Sequence, residues 1–205
     1  MGRQLFDRPK RHLTSPCQMV NLVSLKLFLY GGFMKSLIAI LMLFSFSTWA
    51  HDALPTASYV DVKEYVGKWY AVTALPQVFT RNCVAQTADY AIKDEKTISV
   101  LNTCIKKNGA TKTIKGQAVV INPTTNSELI VTFDNFWTKL FKVKGDYNII
   151  KIDESYSTVL VGSKDRKSLW ILSRTPYVDE AVKKEYLDYA KKLKFDTSKA
   201  VDSHF

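Results

Sequence analysis

The chain is 205 residues long, one to one and a half domains at roughly 150 residues each. Its 46% hydrophobic content excludes disorder, 8 Gly and 6 Pro exclude collagen-like or low-complexity sequence, and 3 Cys are too few for a disulfide-dense miniprotein. Lys and Arg number 29 against 19 Asp and Glu, a net charge of +10 that points to nucleic acid or an anionic membrane only if the cations share a surface.

Residues 1–33 read as a basic upstream extension with no pattern beyond VNLVSLKLFLY, and one sequence leaves open whether they are translated. Residues 34–50 read as a secretory signal peptide: Met34 and Lys35 open it, Leu37 to Phe46 are apolar, and Thr48-Trp49-Ala50 is a small-x-small end. The apolar run is about ten residues, against roughly twenty for a membrane-spanning helix. An uncleaved anchor drawing on Leu25 to Phe33 is the alternative. Cleavage after Ala50 puts His51 first, so lipid attachment to a cysteine there is not expected. The product is expected to be exported, periplasmic or secreted, and peripheral to the outer membrane.

Removing the leader changes the charge. Residues 1–50 hold six basic residues and one acid, leaving 23 basic and 18 acidic residues, net +5, in residues 51–205. Cys17 goes with the leader. Cys83 and Cys104 remain, in a compartment where disulfides persist.

Residues 51–205 form one domain in which apolar residues alternate. Short runs at 69–75, 84–92, 97–104, 111–121, 128–133, 147–152, 158–162 and 168–173 are separated by polar links such as Lys93-Asp94-Glu95-Lys96 and Lys107-Asn108-Gly109. Eight such strands, evenly spaced, predict an up-and-down barrel or a sandwich. The segment 178–193 differs. Val178, Ala181, Val182, Tyr186, Tyr189, Ala190 and Leu193 recur at three and four, predicting one helix with a single apolar stripe. Asp179 and Glu180 at its start and Lys191, Lys192 and Lys194 at its end suit the helix dipole. A helix packed on the sheet is the reading.

Three stretches then carry a resemblance. Tyr65-Val66-Gly67-Lys68-Trp69-Tyr70 is similar to the Gly-x-Trp signature of lipocalins. Gly145 to Ile150 with Tyr156 to Val161 resembles that family's middle signature, and Ser168 to Pro176 its last-strand signature, ending in Arg174. The likeness is to bacterial lipocalins and the apolipoprotein D branch, over roughly Val62 to Val201. It implies an all-β fold: an eight-stranded antiparallel up-and-down barrel with a C-terminal α-helix. Gly67, Trp69 and Arg174 are then structural signature residues, with Arg174 stacked on Trp69 across the closed end. Eight strands leave room for one small ligand.

The expected function is binding and carriage of small hydrophobic ligands, fatty acids or lysophospholipids, for envelope lipid transport, storage or repair. The ligand-lining residues implied are Tyr90, Asn102, Tyr147 and Trp170. Trp170 shares a strand face with Arg174, which the resemblance points inward. Alternation with Tyr147 also points Lys151 inward, either to meet a ligand carboxylate or to pair internally so that no buried charge is left alone. In the loop 134–145, Phe136, Trp137, Leu140 and Phe141 interleave with Lys139, Lys142 and Lys144. That loop is either an anchor for an anionic membrane or a lid on the mouth.

No catalytic constellation, metal-ligand spacing or phosphate loop is present, so no cofactor and no metal are expected. His51 and His204 lie at the ends of the mature segment, where an ordered triad is not expected. A nucleic-acid partner is not expected either, since the aromatic stacking motifs are missing. The alternative is a lipid-modifying enzyme of the same fold using Cys83. Against it stands a Cys83–Cys104 disulfide between paired strands. Strict alternation puts those two cysteines on opposite faces, so a bulge is required.

Overall fold

Apolar residues on alternate positions give a strand one greasy face, and eight such strands can hide those faces only by closing on one another. The computed structural model describes residues 52–134 and 144–205. The signal segment 34–50, the extension 1–33 and the loop residues Phe136, Trp137 and Phe141 lie outside the described residues.

The described chain runs α1 (Val62–Tyr65), β1 (Gly67–Ala74), β2 (Cys83–Ile92), β3 (Thr97–Lys106), β4 (Thr111–Val120), β5 (Glu128–Phe133), β6 (Gly145–Ile152), β7 (Thr158–Gly162), β8 (Leu169–Ser173), α2 (Glu180–Lys192) and β9 (Val201–Asp202). Each of β2 to β7 pairs antiparallel with the next, and β1 pairs with both β8 and β2. The barrel is therefore closed. The short β9 lies against the far end of β1 through Thr73 and Ala74. The eight barrel strands fall within a few residues of the alternating runs.

Two apolar layers result. Trp69, Ala71, Val100, Ala118, Val131, Ile149, Val161 and Leu172 pack together inside. Val72, Ile150, Leu160 and Ile171 point outward and pack against Tyr186 and Ala190 of α2 and against Phe195. The helix starts at Glu180 rather than Val178, because Asp179 serves as its N-cap, accepting from the Ala181 N–H at 2.8 Å.

Strict alternation fails at three bulges. In β6 the register shifts between Ile149 and Lys151, both Ile149 and Ile152 belong to the interior layer, and Ile150 lies under α2. Lys151 follows Ile150 to the outside. Its Nζ pairs with Glu185 and stands 4.7 Å from the Tyr186 ring centroid. The inward lysine expected from alternation is therefore corrected: the bulge gives the outer face two consecutive residues. A similar shift between Ala71 and Thr73 serves β1. The third, between Cys83 and Ala85, rotates Cys83 onto the face of Cys104, and the two form a disulfide with their Cα atoms 5.3 Å apart.

The closed end is built around one indole. Trp69 is fully buried and its Nε1 donates to the Tyr65 carbonyl at 2.8 Å. The Arg174 guanidinium lies 3.8 Å from the Trp69 ring centroid. It donates to four carbonyls, those of Glu64, Tyr65, Lys68 and Tyr156. Two of these belong to the last turn of α1, where carbonyls lack helical partners. Gly67 is required here: its φ is +100°, and an added Cβ would stand 3.3 Å from Arg174 Nη1. The segment before α1 also seals this end, with the Val60 N–H donating to the Thr125 carbonyl at 2.8 Å and Asn126 Nδ2 to the Val60 carbonyl at 3.1 Å.

Arg174→Lys keeps the charge and loses the fork. It is expected to lower unfolding free energy by about 2–3 kcal/mol, read as a lower urea midpoint at unchanged slope. For the disulfide, which joins residues 21 apart in sequence, reduction should cost about 3 kcal/mol. A thiol titration of the native oxidised protein should find neither sulfur reactive.

Candidate functional site

The interior of the barrel is apolar over most of its wall, so its few polar groups define the site. α1 delivers Tyr65 to the floor, where the ring packs on Trp69 with centroids 5.3 Å apart. β2 delivers Tyr90, opposite Gly67 on β1 and Val100 on β3. β6 delivers Tyr147, opposite Leu129 on β5. The Tyr65 and Tyr90 rings stack at 5.8 Å, and Tyr147 meets Tyr90 edge-on at 6.2 Å.

The three hydroxyls form a chain. Tyr147 Oη lies 2.5 Å from Tyr65 Oη and 3.1 Å from Tyr90 Oη. Burial is the leading cause that keeps all three protonated. It pushes Tyr90 up to about 12 and Tyr65 and Tyr147 well above the ordinary phenol value. Three O–H groups share two contacts, so one hydrogen is left without an acceptor among the described residues.

Asn102 supplies the complementary lack. It sits on β3 between Ala88 and Ile114, in the row that also holds Trp69. Its Oδ1 is buried with no hydrogen-bond partner among the described residues. A buried amide oxygen left unpaired costs about 1–3 kcal/mol. Trp170, opposite Ala74 on β1 and Val161 on β7, packs against the same interior layer farther toward the open end. The structure thus brings Tyr90, Asn102, Tyr147 and Trp170 to one interior.

Tyr65 was not among the residues expected there. A signal exists: Asp61-Val62-Lys63-Glu64 has the spacing of an N-capping box, and Asp61 Oδ1 accepts from the Lys63 N–H at 2.8 Å. A helical turn at that point aims Tyr65 under the barrel. Cys83 offers no thiolate, because its sulfur is bonded to Cys104. His204 is held by its backbone N–H on the Val84 carbonyl, 2.8 Å away, at the outer edge of β2. Among the described residues no group of three His, Cys, Asp or Glu is placed to hold a metal.

A family model described as a lipocalin-like domain matches residues 60–203. "Outer membrane lipoprotein Blc" of Vibrio cholerae is 30% identical over 152 residues, 73% of this chain and 85% of that protein. Its namesake in Escherichia coli K12 is 34% identical over 142 residues, 69% and 77% of the two chains. Apolipoprotein D of Bos taurus is 30% identical over 130 residues, 60% of this chain and 66% of that one. Among solved structures, insecticyanin of the tobacco hornworm Manduca sexta superposes with a TM-score of 0.57 at 20% identity, over 75% of this chain and 85% of that one. At that identity the likeness is one of fold.

The raised phenol values carry a pH dependence. Unfolded tyrosine loses its proton near pH 10 while these three keep theirs, so the unfolded state binds fewer protons above that pH. The stability is fully present below about pH 10 and is lost as pH rises through about 12, the value for Tyr90. Phenolate absorbance should show the buried three ionising only with loss of circular dichroism, and their ionisation near pH 10 in folded protein would contradict the cluster.

Proposed function

The chain belongs to the lipocalin family, whose members bind small hydrophobic ligands, and on that premise we propose that it is an exported, non-enzymatic carrier of fatty acids or lysophospholipids. Transport, storage or repair of envelope lipid is the role we assign. Export is supported by the relatives named outer membrane lipoproteins. The observation that carries the ligand reading is the pairing of an apolar wall with one spare donor and one spare acceptor near its floor.

Tyr90, Asn102, Tyr147 and Trp170 are the ligand-contacting residues in this reading, with Tyr65 added. Each methylene moved from water to the wall contributes about 0.8 kcal/mol. A ligand hydroxyl can donate to the Asn102 oxygen, and a ligand oxygen can accept the spare phenol hydrogen. Lys151 takes no part, since it faces α2. The rival reading, a lipid-modifying enzyme using Cys83, lacks a thiolate while the disulfide stands. Contact with an anionic membrane belongs to the same proposal, and in the sequence the aromatic and basic residues of 136–144 support it.

Protein stripped of lipid under denaturing conditions and refolded should bind a fluorescent fatty acid saturably, at one ligand per chain. Asn102→Leu should weaken a hydroxyl-bearing acyl probe about tenfold, equivalent to ~1.4 kcal/mol, and leave a probe lacking that group unchanged. Trp170→Ala should weaken both. Absence of saturable binding across acyl, retinoid and haem probes would sink the carrier reading.

A further inference from the structure

The link between β1 and β2 ends in an apolar tip that the barrel does not use. Val78–Thr80 forms a single 3-10 turn, closed by the Thr80 N–H on the Gln77 carbonyl at 3.1 Å. Its root is pinned. Gln77 Nε2 donates to the Lys167 carbonyl at 3.0 Å, and Gln77 Oε1 accepts from Ser168 Oγ at 3.2 Å. The turn is thereby fixed to the β7–β8 link while Val78 and Phe79 stand 79% and 73% exposed. Two adjacent apolar side chains held in water forgo the hydrophobic gain that any apolar cover would give them.

The charges around the tip identify the cover. Arg81 is exposed two residues beyond Phe79. Cys83 pairs in register with Lys106, and the disulfide ties Cys83 to Cys104, so Arg81, Lys106 and Lys107 lie on adjoining chains at one edge. Lys112 and Lys144 are exposed at the same end, since the links of an up-and-down barrel alternate between its ends. Lys164, Arg166 and Lys167 of the β7–β8 link add to them, against Asp52, Asp134, Asp146, Asp165 and Asp202. At the other end Asp61, Glu64, Asp94, Glu95, Asp153 and Glu154 face Lys63, Lys68, Lys93, Lys96 and Arg174, so the cationic excess belongs to the end that carries the tip.

We propose that Val78 and Phe79 insert into the interfacial layer of an anionic phospholipid bilayer, with Arg81, Lys106 and Lys107 on the headgroups. A small apolar tip within a cationic rim fits a lipid surface, where each cation contributes about fivefold in affinity. A stable protein partner needs about 800 Å² of contact from each side, and a two-residue tip does not supply it. The inference rests on the membrane contact proposed above and assigns it to a particular turn.

The test places a reporter at the tip. The exported form of the Phe79→Trp protein, residues 51–205, is mixed with vesicles of equal phosphatidylglycerol and phosphatidylcholine whose acyl chains carry bromine. The emission added over the parent protein should shift to the blue and be quenched. Phosphatidylcholine vesicles alone should leave it unquenched, and R81Q/K106Q/K107Q should raise the half-saturating lipid concentration at least about tenfold. Co-sedimentation of the parent protein separates the two readings. If the parent sediments while the added emission stays red and unquenched, the tip assignment falls and the membrane reading stands. If the parent does not sediment with anionic vesicles, both fall. Equal quenching on neutral vesicles overturns the role given to the cations.

Discussion

One guanidinium organises the closed end of this barrel. Arg174 stacks on Trp69 and at the same time takes up four carbonyls from α1, from Lys68 and from the β6–β7 link. Stacking uses the face of the group and hydrogen bonding its edge, so neither competes with the other. The consequences spread along the chain. The Trp69 indole is held flat above the floor, α1 is stapled where its own hydrogen bonds run out, and Tyr65 is set beneath the interior. Gly67 is the price of so close an approach.

The fold was legible because the alternation of apolar residues is strong and the links are short and polar. The strand pattern stopped being informative where the barrel meets its helix. At Val72–Thr73 and at Ile150–Lys151, two consecutive residues face outward, and both places lie on the side that α2 covers. The added outward residue is polar in both: Thr73 Oγ1 donates to Asp202 and Lys151 pairs with Glu185, so each bulge ties the wall to β9 or to α2 at the cost of one residue of alternation. A reading that counts by twos passes straight through such a site. Counting by twos puts Lys151 on the wrong face for that reason, while Ile150 beside it packs with Tyr186 and Ala190 under α2.

The site was legible in its strand residues and not in its floor. Tyr90, Asn102, Tyr147 and Trp170 sit on regular stretches whose face follows from their neighbours. Tyr65 sits on a single helical turn, too short for any periodicity to declare it, and its position depends on Arg174, more than a hundred residues away. The cysteine pair shows the opposite case. Its parity looked wrong, and the conflict itself called for the bulge found between Cys83 and Ala85.

The hydroxyl chain has one hydrogen more than its contacts consume, and that surplus has no fixed address. With Tyr65 donating to Tyr147 and Tyr147 to Tyr90, it rests on Tyr90; reverse the chain and it rests on Tyr65. When both outer phenols donate to Tyr147, the central oxygen holds it instead. Only light O–H rotations separate these states, and no heavy atom moves. The floor can therefore meet an acceptor at any of three points without repacking. Head position is a loose criterion for entry to such a cup, and the shape of the wall is left to discriminate.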